Sequence, residues 1–197
     1  MKKVFNMIAL AMRGHENVPL ENQFRKWQVG EKDRYFVHPL RCWRRYLFVT
    51  PQPNEDEECG MIGHDLLEDT SVTEQDIIKA SGEEALRIIQ ELTFPTSAPE
   101  WEGRPRAEKR EVEWAHLRKI RPKTRRLKMI DRWDNLDGMA NPTTPLKMAA
   151  KYVLETDTLL EICEASDYTI AAYVREQQDI LRAYLKEKNF SLYPPRN

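Results

Sequence analysis

The sequence predicts an all-α protein. Hydrophobic residues make up 41% of the 197 residues and charged residues 32%, while only 7 residues are glycine, a balance typical of helical globular domains. Apolar residues recur at helical spacing through most of the chain, and no segment alternates as a strong strand does. We therefore interpret residues 1–197 as one domain, with a core over about 5–160 and a helical extension over about 165–190.

Apolar periodicity, together with the positions of proline and of capping residues, defines the predicted helices in order. The segment 50–57 and the longer segment 93–105 predict connections, and the second is long enough to be a loop near a site. Pro39 suits the first position of a helix, where an amide would be unpaired anyway. Thr73 and Asp76 have the form of a capping box. With ends defined to within about 2–4 residues, the predicted helices are 2–14, 38–49, 57–69, 73–80, 83–93, 107–119, 122–139, 144–164 and 167–188.

Composition excludes several classes of protein. The net charge of -1 provides no overall basic field for a nucleic-acid backbone or an anionic membrane. The amino-terminal apolar run is interrupted by Asn6 and ends at Arg13, which predicts an amphipathic helix rather than a signal peptide. Three unclustered cysteines, Cys42, Cys59 and Cys163, predict neither a disulfide framework nor a cysteine zinc site. We expect a cytoplasmic protein with no nucleic-acid partner and no membrane partner.

The segment GMIGHDLLEDT, residues 60–70, combines an apolar pattern with several titratable groups. In a continuous helix, His64 and Glu68 are four residues apart, as are Asp65 and Asp69, so the four form one polar stripe. Three neighbouring carboxylates without a cation would raise one another's pKa, and a bound divalent cation would relieve that repulsion. The alternative interpretation is a solvated acidic helix end.

Further metal-binding side chains lie elsewhere in the chain. His38 stands at a predicted helix start in YFVHPL, and Asp131 and Asn135 share one face of the predicted helix in LKMIDRWDNL. Two histidines and two aspartates suit a borderline-to-hard divalent metal, which can activate water and neutralise phosphate charge. This pattern predicts phosphate-ester chemistry. Lys128, three residues before Asp131, is either a phosphate contact or an ion-pair partner.

Two further observations limit the set of predicted site residues. The chain contains only 4 histidines, too few for a histidine-rich binuclear centre, so a single metal ion is favoured. The basic residues after His38 are interpreted as a solvated helix face rather than as site residues. These are Arg41, Arg44 and Arg45.

Four motifs together resemble a known family. They are HPLRCWRRYL, GHDLLEDTSVTEQDI, GEEALRIIQELT and RLKMIDRWDNLDGM. Their order and spacing are similar to those of the HD-domain alarmone hydrolases of the RelA/SpoT homologue group, over about residues 5–160 and most closely to the small stand-alone hydrolases. The resemblance implies an HD-domain helical bundle with an additional C-terminal helix, and an enzyme of the stringent response.

The resemblance also implies roles for individual residues. One manganese ion is expected at His38, His64, Asp65 and Asp131. Glu68 and Asp69 would orient or activate the attacking water, and Asn135 would contact the nucleotide sugar or its 3′ substituent. The arginine–lysine pair of the family corresponds to Arg25 and Lys26, which would meet the base and the phosphates.

The implied reaction is manganese-dependent removal of the 3′-pyrophosphate from guanosine tetra- or pentaphosphate, which leaves GDP or GTP. Gly138 and the long segment 25–38 depart from the family pattern, so a second hypothesis keeps the chemistry and changes the nucleotide to an adenosine alarmone, a 3′-phosphorylated dinucleotide or a nucleoside monophosphate. A third hypothesis is a non-catalytic nucleotide-binding module. The length predicts no synthetase domain. The apolar stripe of the last helix predicts packing on the core, with a homo-oligomer contact as the alternative.

Overall fold

The computed structural model describes residues 2–18 and 35–192. Within those ranges the chain forms ten α-helices and three short 3-10 turns, with no strand. The prediction of an all-α fold is therefore confirmed. The helices are α1 Lys2–Glu16, α2 Val37–Val49, α3 Glu55–Ile62, α4 Leu66–Asp69, α5 Glu74–Ser81, α6 Glu83–Leu92, α7 Arg106–Lys119, α8 Pro122–Leu136, α9 Leu146–Cys163 and α10 Tyr168–Glu187; the 3-10 turns are Pro95–Ser97, Pro99–Trp101 and Glu164–Ser166.

Local signals account for several helix starts. The Thr73 side chain accepts from the Asp76 amide, and the Asp76 carboxylate accepts from the Thr73 amide at 3.1 Å, so the predicted capping box is confirmed. Pro122 occupies the first position of α8. Pro39 is the third residue of α2 rather than the first, a position where its missing N–H is still one of the unpaired amides of a helix start.

The predicted continuous helix over 57–69 is wrong. The chain leaves the helix after Ile62 and resumes it at Leu66. The Leu66 amide donates to the Gly63 carbonyl at 3.0 Å, a tightened i to i+3 bond. A Cβ on Gly63 would lie 2.7 Å from Ile89 and 3.1 Å from Met7, so the backbone at the break passes close to both α1 and α6.

Two hydrophobic clusters form the core. The first is built mainly by α2, α8, α9 and α10, and the second by α1, α3, α5 and α6. Helix α3 joins them, because Met61 belongs to the first cluster and Ile62 to the second. Helix α10 packs on α8 and α9, which confirms that the C-terminal extension folds back onto the core. The predicted division into core and extension, and the homo-oligomer alternative, stay predictions.

The three cysteines are buried free thiols, which confirms that the chain has no disulfide framework. Burial raises the pKa of Cys59 and of Cys163 to about 12, so both thiols stay protonated and pack as small apolar groups. Within residues 2–18 and 35–192, no helix has both the length and the apolar character that crossing a bilayer requires.

Replacing Gly60 by alanine tests the close contact between α3 and α6. A Cβ at this position would lie 2.3 Å from Ile88 Cγ2 and 3.0 Å from its Cβ, in a side chain that is fully buried. We expect a loss of about 1–3 kcal/mol in the free energy of unfolding from overpacking, although alanine favours helix by about 1 kcal/mol. Urea denaturation measures this loss.

The matched control is Arg87→Ala on the exposed face of α6, whose side chain is 63% exposed. This substitution should change stability by less than about 0.5 kcal/mol. Equal stability of the Gly60→Ala and Arg87→Ala proteins would contradict the tight contact.

Candidate active site

Two histidines from distant parts of the chain meet at the centre of the molecule. His38 lies in the first turn of α2, and His64 lies in the turn that separates α3 from α4. Their Nε2 atoms are 3.2 Å apart, and each residue is only 1% exposed. The pair forms because α2 packs against both α3 and α8.

Two aspartates complete this group. Asp131 of α8 places Oδ1 3.2 Å from His38 Nε2 and 3.7 Å from His64 Nε2. Asp65 places Oδ2 3.2 Å from His64 Nε2 and 3.6 Å from His38 Nε2. The four residues that the family resemblance implies as metal ligands therefore lie together, and both carboxylates face the same pair of nitrogens.

Each imidazole is oriented through its outer nitrogen. His64 Nδ1 lies 2.7 Å from the Met61 carbonyl oxygen, which can only accept, so Nδ1 carries the proton. His38 Nδ1 lies 2.7 Å from Asp134 Oδ2, and an ionised carboxylate likewise only accepts. In their neutral forms both rings would therefore present the Nε2 lone pair to the centre. Protein ligands of metals are held in this way, through a carboxylate or a backbone carbonyl on the outer nitrogen.

The donor set fits a divalent cation. Two lone pairs and two carboxylate oxygens converge in a buried space, and such a group of acceptors is costly unless a positive charge lies among them. Burial by itself would lower the pKa of His64, but the charge of Asp65 and a hydrogen bond with Asp131 raise it to about 10. The same demand for positive charge is satisfied by a proton or by a metal ion.

One thiol also approaches the imidazole pair. Cys42 lies one turn after His38, and one ligand atom each from His38, Cys42, His64 and Asp131 lie within 4.8 Å of one another. Its Sγ is 3.5 Å from His38 Nδ1 and 3.9 Å from Nε2, so it is closer to the outer nitrogen. Asp65 is nearer to the inner nitrogens. The group could hold a metal ion, and geometry favours Asp65 over Cys42 as its fourth ligand.

Lys128 and Asn135 flank Asp131 on the same helix. Lys128 Nζ lies 3.1 Å from Asp131 Oδ2, and Asn135 Nδ2 donates to Asp131 Oδ1 at 2.5 Å. Burial would lower the pKa of Lys128, but Asp131 and Glu68 raise it above the ordinary value of a lysine, so this residue stays charged. Both side chains also line the adjoining cavity. Lys128 is thus an ion-pair partner, in a position that a phosphate could also reach.

The two candidate water-activating acids lie in α4. Glu68 Oε1 accepts from the Phe94 amide at 2.6 Å, and burial raises the pKa of this carboxyl. Asp69 is an exposed residue, but neighbouring protein atoms shield its carboxyl from water. This partial burial, together with the charge of Asp65, raises the pKa of Asp69 to about 7. The Tyr35 hydroxyl donates to Asp65 Oδ2 at 3.0 Å and also interacts with Asp69. Among the described residues that line the cavity, Glu68 is present and Asp69 is not.

A cavity of about 320 Å³ opens beside the histidine–aspartate group. Its opposite wall comes from α7 and α8, and Arg132 is 8% exposed there. Arg132 Nη1 is buried and has no hydrogen-bond partner among the described residues, so it is available to an anion. The basic residues that line the cavity are Arg106, Lys109, Arg110, Lys128 and Arg132.

Sequence reasoning missed several of these residues. Asp134 stands one turn after Asp131, and Tyr35 three residues before His38; those spacings were the available signals. The basic residues of α7 carried no signal, because their approach to the site depends on the path of the loop 93–105. Arg25 and Lys26 lie outside the described residues.

The interpretation of Arg41 and Arg45 as a solvated face is wrong. Arg41 Nε and Arg45 Nε each donate to Asp134 Oδ1 at 3.1 Å. A fully buried carboxylate draws both guanidinium groups inward, because an unpaired charge there would be strongly destabilising. Arg41 and Arg45 therefore belong to an internal ion-pair network with Asp134 and do not form a solvated helix face.

The fold and the site define a helical protein with a buried histidine–aspartate centre. No model of a known protein family matches the chain. A search of curated proteins finds the probable guanosine-3′,5′-bis(diphosphate) 3′-pyrophosphohydrolase of Mycoplasma pneumoniae, 29% identical over 126 residues. The match takes in 58% of this chain and 17% of that relative, so the chain spans about a sixth of its length.

A solved structure is similar over nearly the whole chain. It is a metazoan ortholog of SpoT described as hydrolysing ppGpp and taking part in starvation responses, with a TM-score of 0.67 at 15% identity. The similarity covers 97% of this chain and 98% of that one. Both proteins are described as acting on ppGpp, so the resemblance to the HD-domain alarmone hydrolases is confirmed. The chain has their helical fold.

Metal titration tests which side chains complete the centre. With Mn²⁺ as the probe in calorimetry, Asp65→Asn should weaken binding by at least about tenfold, because it removes a charged oxygen beside both imidazoles. Cys42→Ser, which keeps the size of the side chain, should stay within about threefold of wild type. A greater loss in the Cys42→Ser protein than in the Asp65→Asn protein would show that the thiol, and not Asp65, is the ligand.

Proposed function

We propose that this chain hydrolyses the 3′-pyrophosphate of guanosine tetra- and pentaphosphate, with GDP or GTP and pyrophosphate as products, using one manganese ion. The observation that carries the proposal is the pairing of His38 and His64 between two carboxylates, beside a cavity with a basic wall. Both proteins found by comparison are described as acting on this nucleotide. A cytoplasmic location and the absence of nucleic-acid and membrane partners stay predictions.

The metal would be held by His38, His64, Asp65 and Asp131. Two imidazole nitrogens and two carboxylate oxygens suit manganese among the divalent metals. When bound, the ion would supply a water of lowered pKa and would neutralise phosphate charge. Lys128 supports the centre from the side, since its ammonium group contacts the carboxylate oxygen of Asp131 that faces away from His38.

Glu68 is the proposed general base. Its Oε1 is fixed by the Phe94 amide, and Ser97 also contacts the carboxylate, so the side chain is held at the edge of the cavity before substrate arrives. Its raised pKa is the property of a carboxylate suited to accept a proton near neutral pH. Asp69 would act indirectly, through the Tyr35 hydroxyl that also binds Asp65.

The basic wall of the cavity supports a polyphosphate ester as the substrate. Arg132 offers Nη1, which has no hydrogen-bond partner within residues 2–18 and 35–192, and Arg106 and Lys109 line the same wall. The acidic side, with Asp65, Asp131 and Glu68, would repel a pyrophosphate group without these cations. Preorganised positive groups of this kind stabilise charge that develops on a leaving phosphate. Asn135, which lines the cavity and contacts Asp131, is the candidate for the sugar or the 3′ substituent.

A different nucleotide remains the second hypothesis, and Gly138 now supports it less. Gly138 has φ of +76° in the turn after α8, and a Cβ there would meet nothing within 4 Å. The glycine thus serves the backbone turn, since residues with a side chain rarely adopt this conformation. A non-catalytic module is the third hypothesis, and the retained Glu68 beside the cavity argues against it.

Product analysis with manganese-loaded protein separates these hypotheses. Guanosine tetraphosphate should yield GDP and pyrophosphate, and removal of metal by a chelator should abolish the reaction. The parallel substrates are an adenosine alarmone, a 3′-phosphorylated dinucleotide and a nucleoside monophosphate. Release of product only from one of these would favour the second hypothesis, and binding of guanosine tetraphosphate without turnover would favour the third.

Glu68→Gln tests the assigned base. Because glutamine keeps the size of the side chain and cannot accept the proton, we expect kcat to fall by about 10²–10⁴-fold, while the dissociation constant for Mn²⁺ stays within about threefold. The control is Glu83→Gln at the exposed start of α6, which should leave both values unchanged. Unchanged turnover in the Glu68→Gln protein would remove the role of Glu68.

A further inference from the structure

A buried carboxylate outside the predicted site is joined to one of its histidines. Asp134 lies in α8 and its side chain is fully buried. Its Oδ2 accepts from His38 Nδ1 at 2.7 Å and from Arg41 Nε at 3.2 Å. Its Oδ1 accepts from Arg41 Nε and from Arg45 Nε, each at 3.1 Å. One carboxylate thus binds one imidazole and two guanidinium groups.

We propose that Asp134 is a positioning residue that fixes the tautomer of His38, with Arg41 and Arg45 holding the carboxylate in place. By accepting the Nδ1 proton, Asp134 leaves the Nε2 lone pair directed at His64 and Asp131, where the proposed metal would bind. The inference rests on the proposed function only for the identity of that metal. The tautomer itself is a property of the chain.

The arrangement around Arg45 makes the carboxylate rigid. Arg45 Nη2 donates to Asp137 at 2.5 Å, and its guanidinium lies 4.4 Å from the centre of the Trp133 ring. Trp133 is in turn stacked on Tyr173 of α10, with the ring centres 4.5 Å apart and an interplanar angle of 6°. Helix α10 therefore supports Arg45 through Trp133. The contact with the ring preorganises the guanidinium for its hydrogen bond to Asp134.

The two arginines also determine what an amide would do at position 134. Both Nε groups can only donate, so the carbonyl oxygen of an asparagine would turn to the Oδ1 position that they share. Its NH₂ group would then face His38 Nδ1 and donate to it. His38 would have to accept at Nδ1 and carry its proton on Nε2, which removes the lone pair from the centre.

The direct test is the protonation of His38 in the metal-free protein, read from ¹⁵N chemical shifts and ring proton couplings by NMR at pH 8.5. We expect the wild-type ring to carry its proton on Nδ1 alone. The Asp134→Asn protein should carry it on Nε2. The control Asp137→Asn removes the other carboxylate partner of Arg45, which is half exposed and does not contact His38, and should retain the wild-type tautomer.

Metal affinity gives the second measurement. Titration with Mn²⁺ should be weakened by about 10–100-fold in the Asp134→Asn protein, the usual effect of removing the hydrogen-bond partner of a metal ligand, and by less than about threefold in the Asp137→Asn protein. Affinity of the Asp134→Asn protein within threefold of wild type would overturn the inference.

The tautomer measurement still tests the inference in two cases where metal affinity cannot. If Asp134→Asn does not fold, which urea denaturation would reveal, the wild-type spectrum still decides, because a His38 proton on Nε2 contradicts the inference. If the wild-type protein binds no Mn²⁺, the proposed metal centre fails, while the tautomer still reports whether Asp134 orients His38.

Discussion

The architecture of this protein depends on the placement of two imidazole nitrogens 3.2 Å apart among carboxylates and away from water. This arrangement is unfavourable without a positive charge, because lone pairs and anionic oxygens converge where solvent cannot screen them. Three elements must meet to form it: α2 with His38, the turn with His64, and α8 with Asp131. The two hydrophobic clusters, joined through α3, hold these elements in register.

Orientation matters as much as proximity. The outer nitrogen of each ring is fixed by a group that can only accept a proton, the Met61 carbonyl for His64 and Asp134 for His38. The break in the helix after Ile62 is what permits the first contact, since it turns His64 back towards Met61. The second contact extends through Arg45 and Trp133 to α10. Parts of the chain distant from the centre thus determine which atoms face it.

The sequence predicted most of the helices, because apolar residues recur at helical spacing and several helix starts carry a proline or a capping residue. It did not predict the break at residues 63–65, since the apolar pattern of Met61, Ile62 and Leu66 continues across it and does not show which helices pack beside Gly63. The motifs also indicated His38, His64, Asp65 and Asp131, whose side chains lie together. Arg41 and Arg45 were misinterpreted because helical spacing shows which residues share a face but not what that face meets.

The distribution of charge explains how a chain with a net charge of -1 could bind a polyanion. Asp65, Glu68 and Asp131 lie on the side of the histidines, while Glu113 and Glu155 already engage Arg106 and Arg110 on the opposite wall. Arg132 forms a weaker ion pair than these two arginines. Its Nη2 lies 3.8 Å from a Glu155 oxygen, and its Nη1 has no hydrogen-bond partner among the described residues. An anionic group could therefore bind Arg132, and a cation at the centre would reduce its repulsion by the carboxylates there. Affinity for an anion would then depend on the local charge around Arg132 rather than on the overall charge of the chain.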